Sequence, residues 1–440
     1  MCAAKIRDES GYGFSGGDDF ATVLGEETSM SSPPLDPDSG PGPAGGRSSP
    51  RGPRAEQIIR AATALFQDAG YRNVSIEQIG AAVGLTGPAV YRHFPGKHDI
   101  LVQALLTQVD LMDELVREAD EYAGTPEAQL WRFLDRLGDL TANQDVSILW
   151  RREQRHLRPT QLEQMRSYFT RFSDYIADKV AAARPDLSFD DGRLLGFAVL
   201  SLYSNTSVIR GTMAPVHVMQ IQRAVAHSII NCSLPATKPD ATPAIPVTRR
   251  PAGRHERILD AATDLFAERG FHDVRIDDIA RAADISVATF YQQVPGKTEI
   301  LRAVLVRGVE GMLYLTTHAL TGVDPGDALD VLISIHVEQA LGVHGRTIPV
   351  WTRDIVYLPE ADQDALRSAQ RAYIAEWVAA IRARTPELSE ADAAALTRAF
   401  IGVADDIVQA PDLRARPGIT DDLATLSKTI LQPVGLLSNG

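Results

Sequence analysis

One stretch of this chain occurs twice, and that duplication constrains the fold more than any other feature. Residues 75–97 read SIEQIGAAVGLTGPAVYRHFPGK and residues 275–297 read RIDDIARAADISVATFYQQVPGK, in register at an offset of 200 without a gap. In the first copy Ser75 precedes Ile76, Ile79 and Val83, apolar positions three and four apart. That spacing predicts a short helix with a hydroxyl N-cap and one buried stripe. Gly84 supplies the turn, because glycine tolerates positive φ. Thr86 caps a second short helix, with Pro88 in its first turn where the missing N–H is harmless. Val90 and Phe94 are the apolar pair of that helix, leaving Gly87, Ala89, Tyr91, Arg92 and His93 to share its remaining surface. Two short helices about a tight turn, the second small at its start and polar along one side, form a helix-turn-helix pattern.

The repeat reaches further than this motif. Arg54, Glu56, Ala61, Thr63, Val74, Tyr91, Pro95, Gly96, Lys97, Ile100 and Leu101 all recur 200 residues on. Trp150, Arg152, Leu157, Arg166, Ser167, Pro185, Leu187, Ser188 and Leu195 recur at an offset of 201. A whole unit is duplicated, and 440 residues accommodate two units near 200 residues each. Ile58, Ala62, Leu65, Phe66 and Ala69 predict a helix over 54–69 stopped by Gly70, with the same pattern ending at Gly270. Breaks at Gly124 to Pro126, Arg184-Pro185 and Gly211 to Pro215, with analogues in the second half, divide each remainder into five or six further helices. No stretch alternates as a strand, so the expected fold class is all-α.

Charge is unevenly placed in a chain of net charge −13. Residues 1–46 carry −6, whereas residues 47–98 hold seven basic against three acidic side chains. The first helix-turn-helix is thus a basic island, and local charge governs phosphate attraction within a Debye length of ~8 Å. From Arg249 to Lys297 eight basic and eight acidic residues cancel. Pro, Gly, Ser and Asp content predicts a disordered tail over 1–50 and a core-less linker over 235–250. The linker, taken from Leu234 to Arg254, spans at most about 66–72 Å. Arg47, Arg51 and Arg54, and again Arg249, Arg250 and Arg254, stand before the two motifs as arms toward DNA or as solvated charges. Cys2 and Cys232 can build neither a disulfide framework nor a zinc site, and no apolar run reaches membrane-spanning length. A cytoplasmic protein with no membrane association and no cofactor is expected.

A helix ending in F-x-x-x-G (Phe66 to Gly70), a Ser-x-x-x-I-G helix (Ser75 to Gly80), Y-x-x-F-P-x-K (Tyr91 to Lys97) and an Asp-Ile-Leu opening (Asp99 to Leu101) occur in that order. This ordered pattern resembles the TetR family of bacterial transcriptional regulators over residues 54–106 and 254–306. The resemblance implies two tandem units in a bacterial cytoplasm. In each, a helix-turn-helix domain (51–106 and 251–306) is followed by a helical regulatory domain (107–234 and 307–435). It further implies a ligand cavity in each regulatory domain, and last helices, about 190–209 with 216–231 and 390–409 with 419–431, that pair in a four-helix bundle. The partners so implied are double-stranded DNA and an unidentified small-molecule effector. The two halves of one chain are expected to pair as a pseudo-dimer, with a two-chain assembly of equivalent domains as the rival.

Candidate DNA contacts follow from position: Ser75, Thr86, Gly87, Pro88, Tyr91, Arg92 and His93, with Lys97 as a phosphate ligand. In the second copy they are Arg275, Ser286, Val287, Ala288, Tyr291, Gln292, Gln293 and Lys297. Arg275 replaces the hydroxyl cap and the glutamines replace Arg92-His93, so the second copy is a different reader or a weakened one. For the effector, Trp150, Arg152, Phe169 and Phe172, with Trp351, Arg353 and Tyr373, are the candidates, although an aromatic series at helical spacing is more often core than cavity. Two other classes compete. An enzyme lacks its parts, since neither a phosphate-cradling G-x-x-x-x-G-K-[ST] nor a nucleophile elbow G-x-S-x-G occurs. A ligand-sensing scaffold that no longer binds DNA would need the basic, intact first motif to be idle.

Overall fold

The computed structural model describes residues 52–143, 146–235, 251–434 and 436. The expected tail, the linker and the arginines at 47, 51, 249 and 250 lie outside the described residues. Every described element is helical, and the first half runs α1 (Pro53–Ala69), α2 (Ile76–Ala82), α3 (Gly87–Val90), α4 (Lys97–Asp120), α5 (Pro126–Asn143), α6 (Val146–Glu153), α7 (Pro159–Ala183), α8 (Phe189–Ser204), α9 (Thr206–Arg210) and α10 (Pro215–Ile230). The second half repeats that order as α11 (Arg254–Arg269), α12 (Ile276–Ala282), α13 (Val287–Gln293), α14 (Lys297–Ala319), α15 (Ala328–Leu341), α16 (Ile348–Asp354), α17 (Glu360–Arg384), α18 (Glu390–Gln409), α19 (Pro411–Arg414) and α20 (Ile419–Leu431). Each helix of the first half therefore has its counterpart ten labels on. The protein is all-α, with no strand among the described residues. Among the described residues, no helix is long and apolar enough to cross a membrane.

Local chemistry sets the boundaries. α1 buries Ile58, Ile59, Ala62 and Phe66, then stops at Gly70, whose φ of 81° closes the helix with its amide on the Phe66 carbonyl. α11 stops identically at Gly270, with φ 79°. α4 and α14 run unbroken through 106 and 306, so each helix-turn-helix is carried on a long helix that continues into the rest of its unit.

α8 packs on α10 and on α18, while α18 and α10 pack on α20, so the last helices of both halves share one interface. One expectation is corrected there. The helix placed over 190–209 breaks at Asn205, although its counterpart α18 is continuous. The Asn205 carboxamide donates to the Ser201 carbonyl at 2.9 Å and to Asp406 at 3.0 Å, a local bond that competes with the helical ladder. Asp406 also accepts from Ser201 Oγ at 2.7 Å and from Arg151 at 2.8 Å. Gly402 admits this cluster, because a Cβ there would lie 2.6 Å from the Asn205 carboxamide. Arg416 joins Asp422 to Asp191 of the first half, and His217 pairs with Asp392 at 2.5 Å.

The two halves differ in how the core is divided. In the first, the core of α1 to α4 is continuous with that of α5 to α10 and with the last helices of the second half. In the second, α11 to α14 share a separate core with Val350 of α16, with Ile355 and Leu358 just after it, and with Leu366 of α17.

Candidate nucleic-acid interface

Both turns are built by one device. The Leu85 amide donates to Gly80 O at 2.8 Å, and the Ile285 amide to Ala280 O at 3.0 Å. The residue before each donor is left-handed: Gly84 at φ 67° in the first copy, but Asp284 at φ 56° in the second. Ser75 caps α2 in a full capping box, its Oγ accepting the Gln78 amide while Gln78 Oε1 accepts the Ser75 amide. Arg275 brings no acceptor, yet Asp278 still accepts the Arg275 amide at 3.0 Å. That bond holds the Asp278 carboxyl below the usual range. The second copy therefore keeps half of the box.

The second helices reverse the expected ranking. Thr86 makes no side-chain cap, and α3 ends after four residues at Val90, so Tyr91, Arg92 and His93 follow it in a turn. Ser286 does cap α13, its Oγ accepting the Thr289 amide at 3.0 Å, and α13 runs seven residues through Gln293. Val90 and Phe94 are buried, as are Phe290 and Val294. Tyr91 and Tyr291 are each 55% exposed, so the two copies present this ring alike. Arg92, His93, Gln292 and Gln293 are exposed beside them, as are Pro88, Val287 and Ala288.

Four residues are placed differently from expectation. Gly87 is buried against α2, where a Cβ would stand 3.2 Å from Glu77 Oε1, so it sets helix packing. Lys97 and Lys297, expected to be phosphate ligands, are turned inward. Lys97 Nζ donates to Tyr71 O at 2.8 Å and Val74 O at 2.7 Å, and lies 4.5 Å from the centre of the Tyr71 ring. Lys297 repeats this on Phe271 O at 2.7 Å and Val274 O at 2.8 Å. Burial lowers both lysine pKa values. Each ammonium closes the loop between the first two helices of its unit. Arg54, expected in an arm, lies in α1 and donates to Val83 O at 3.0 Å.

The units are joined to the rest of the chain by pairs that the sequence did not single out. Glu153 accepts the Tyr71 amide at 3.1 Å, and Asp354, its counterpart at 201, accepts the Phe271 amide at 3.2 Å. Arg152 and Arg353, expected to meet the effector, instead hold Gln67 O and Ala267 O, at the carboxyl ends of α1 and α11. Trp150 stacks on Phe169 with ring centres 4.6 Å apart, and Phe172 is buried, so this part of the first-half aromatic series packs as core. Trp351 and Tyr373 line a cavity of about 80 Å³. The halves also meet at the loops that follow α1 and α11: Arg155 reaches across to Asp354 and Tyr357, and Arg72 pairs with Asp273 at 2.6 Å. A shared acidic residue directly after each Trp-x-Arg was the available signal for the joint.

Two turn-linked helix pairs of matching geometry define a tandem helix-turn-helix protein. Residues 58–104 and 258–304 each match the family described as bacterial regulatory proteins, tetR family. The chain thus carries the N-terminal domain of the TetR family twice. It is 42% identical over 132 residues to the transcriptional regulator SrpR of Pseudomonas putida, an alignment covering 26% of this chain and 62% of that protein. It is 33% identical over 84 residues to the transcriptional activator FasR of Mycolicibacterium smegmatis, covering 16% and 38% respectively. A TetR-family regulator from Bordetella parapertussis aligns structurally at 24% identity and TM-score 0.38, over 42% of this chain and 97% of that one. The chain thus spans less than two thirds of the length of the curated relatives it matches.

Proposed function

We propose that the chain is a cytoplasmic, sequence-specific DNA-binding repressor released by a small molecule, whose two units pair within one polypeptide. The observation that carries this reading is the presence, in one chain, of two exposed helix-turn-helix faces and both sets of last helices packed on one another. Tyr91, Arg92 and His93 offer an aromatic, a guanidinium and an imidazole to the groove, with Ser75, Thr86 and Pro88 at its edge. In the second copy Tyr291, Gln292 and Gln293 do so, with Arg275, Ser286, Val287 and Ala288 flanking them. Glutamine pairs bidentately with adenine, whereas Arg92 favours guanine or phosphate, so the preferred site has two unlike halves about one helical turn apart. Tethering favours intramolecular pairing through effective concentration.

Release is supported by the joint. α16 contributes both the wall residue Trp351 and the grip on the second unit through Arg353 and Asp354. A ligand that displaces α16 displaces that unit. Fluorescence anisotropy with DNA from the protein's own promoter tests the reading, and absence of specific binding at low salt refutes it. Mass in solution tests the pairing: a particle of 47.8 kDa is expected, and one of twice that mass with a palindromic footprint refutes it.

A further inference from the structure

The cavity in the second half lies on the seam between the two cores. Leu305, on one side, belongs to the core of the second helix-turn-helix unit, while Met312 and Tyr373, on the other, belong to the main core. Its polar groups are unusual in what they lack. Asp405 keeps 22% of its side-chain surface, and that surface faces the cavity. The nearest guanidinium, Arg151, donates to Asp406 at 2.8 Å instead. His336 is 4% exposed on the side chain; its Nδ1 lies 2.9 Å from the Tyr373 hydroxyl, and its Nε2 has no partner. His336 Nε2 and Asp405 Oδ1 stand 3.9 Å apart, too far to bond one another but close enough for one donor to reach both. No lysine or arginine lines the cavity, whose walls include Trp351 and Tyr373.

We propose that this cavity binds one small organic cation per chain, a primary or secondary ammonium, held between the Asp405 carboxylate and His336 Nε2 with its alkyl part against Trp351. The chemistry is complementary. An ammonium carries two or three N–H donors, enough for a carboxylate oxygen and a neutral imidazole nitrogen together. The Tyr373 hydroxyl can accept from Nδ1–H, and in that tautomer Nε2 is the acceptor a donor ligand needs. Aromatic faces add cation–π attraction. Burial leaves His336 neutral and raises the Asp405 pKa to about 8, so the free site carries little charge and an entering cation supplies the missing counter-ion. An anionic ligand would meet a buried acid with no compensating donor cation.

The site is one-sided. At the offset of 201 that aligns α8 with α18, Ser204 occupies the position of Asp405, and the first-half core runs unbroken across the corresponding seam. The stoichiometry is therefore one cation per chain. Its consequence for DNA rests on the release reading above, since Trp351 and Asp354 share α16.

The test titrates the full-length protein with n-butylamine and with its neutral near-isostere n-butanol, followed by tryptophan fluorescence and calorimetry at pH 7.5. The amine is expected to bind once per chain and at least tenfold tighter than the alcohol, releasing a proton as Asp405 ionises. Asp405→Asn, which keeps the shape of the side chain, should bring the amine down to the affinity of the alcohol and abolish proton release. His336→Gln should weaken the amine while leaving the alcohol unchanged. Equal affinities in the wild type, or an undiminished amine preference in Asp405→Asn, overturn the proposal. Amine binding that leaves duplex affinity unchanged supports the site and overturns only the release reading.

Discussion

Arg155 is the residue whose removal tests the joint most directly. Its guanidinium crosses from the first half to Asp354 and Tyr357 of the second, and the paired side chains are 7% and 0% exposed. Solvent does not screen this pair. Replacing Arg155 with methionine leaves the Asp354 carboxylate buried with one guanidinium neighbour, Arg353, and the Phe271 amide at 3.2 Å. Breaking a buried pair from one side costs about 3–5 kcal/mol, because a charge remains uncompensated. Burial already raises the Asp354 pKa, with Arg155 and then Arg353 pulling it back. Without Arg155 it rises further, so the folded state holds that proton more tightly than the unfolded chain. The deficit is therefore smallest below the ordinary carboxylate range and grows as pH rises toward the folded pKa. Urea unfolding at pH 5 and pH 8, followed by tryptophan fluorescence, reads both the size and the sign. Asp354→Asn added to Arg155→Met should recover most of the loss and flatten its pH dependence. A single variant within about 0.5 kcal/mol of wild type at both pH values, the spread of ordinary surface substitutions, refutes the reasoning.

Three further outcomes follow from the same geometry. Lys97→Met and Lys297→Met should each destabilise by about 1–3 kcal/mol, since buried carbonyls lose their donor. An unchanged melting temperature with weakened duplex binding would instead return these lysines to a phosphate role. Gly84→Ala should destabilise the protein by roughly 1 kcal/mol, because a Cβ at positive φ is strained; an unchanged thermal melt contradicts this. Asp405 binds its proton more tightly folded, at about 8, than unfolded, at 3.8. Its contribution is present below pH 4 and is lost as pH rises from 4 to 8, so Asp405→Asn should flatten the stability profile across that window, as urea midpoints at several pH values will reveal.

What could be read from the sequence was what the sequence decides locally. The stripe of Ile76 and Ile79, the stop at Gly70, the box of Ser75 with Gln78 and the left-handed turn at Gly84 each depend on a few adjacent residues, and all are present as read. What was misread depends on distance. A lysine after F-P-G looks like a phosphate ligand until carbonyls 23 and 26 residues away are seen to claim it. Arg152 and Arg353 looked like cavity residues because they accompany tryptophans, yet carbonyls 85 and 86 residues upstream hold them. Cap identity misled in a different way, since Ser286 caps and Thr86 does not although either hydroxyl is competent.

Those misreadings share a direction, and it bears on how the two copies differ. Charge favours the first unit, where Arg92 stands free of ion pairs among the described residues, and its core is continuous with the rest of the chain. Local structure favours the second, with its longer and properly capped α13. That unit has its own core, separated from the main one by a seam that contains the cavity. A seam is where a packed protein yields first, because opening it exposes little surface that was in mutual contact. The release reading therefore casts the first unit as the anchor and the second as the partner that moves with α16. The difference turns on one substitution in the joint: Arg155 has Val356 as its counterpart, so the buried cross-half pair is made once and not twice. With a second copy of that pair, displacement of α16 would have to break two buried ion pairs. With one, the second unit can shift while Glu153 still holds the first through the Tyr71 amide.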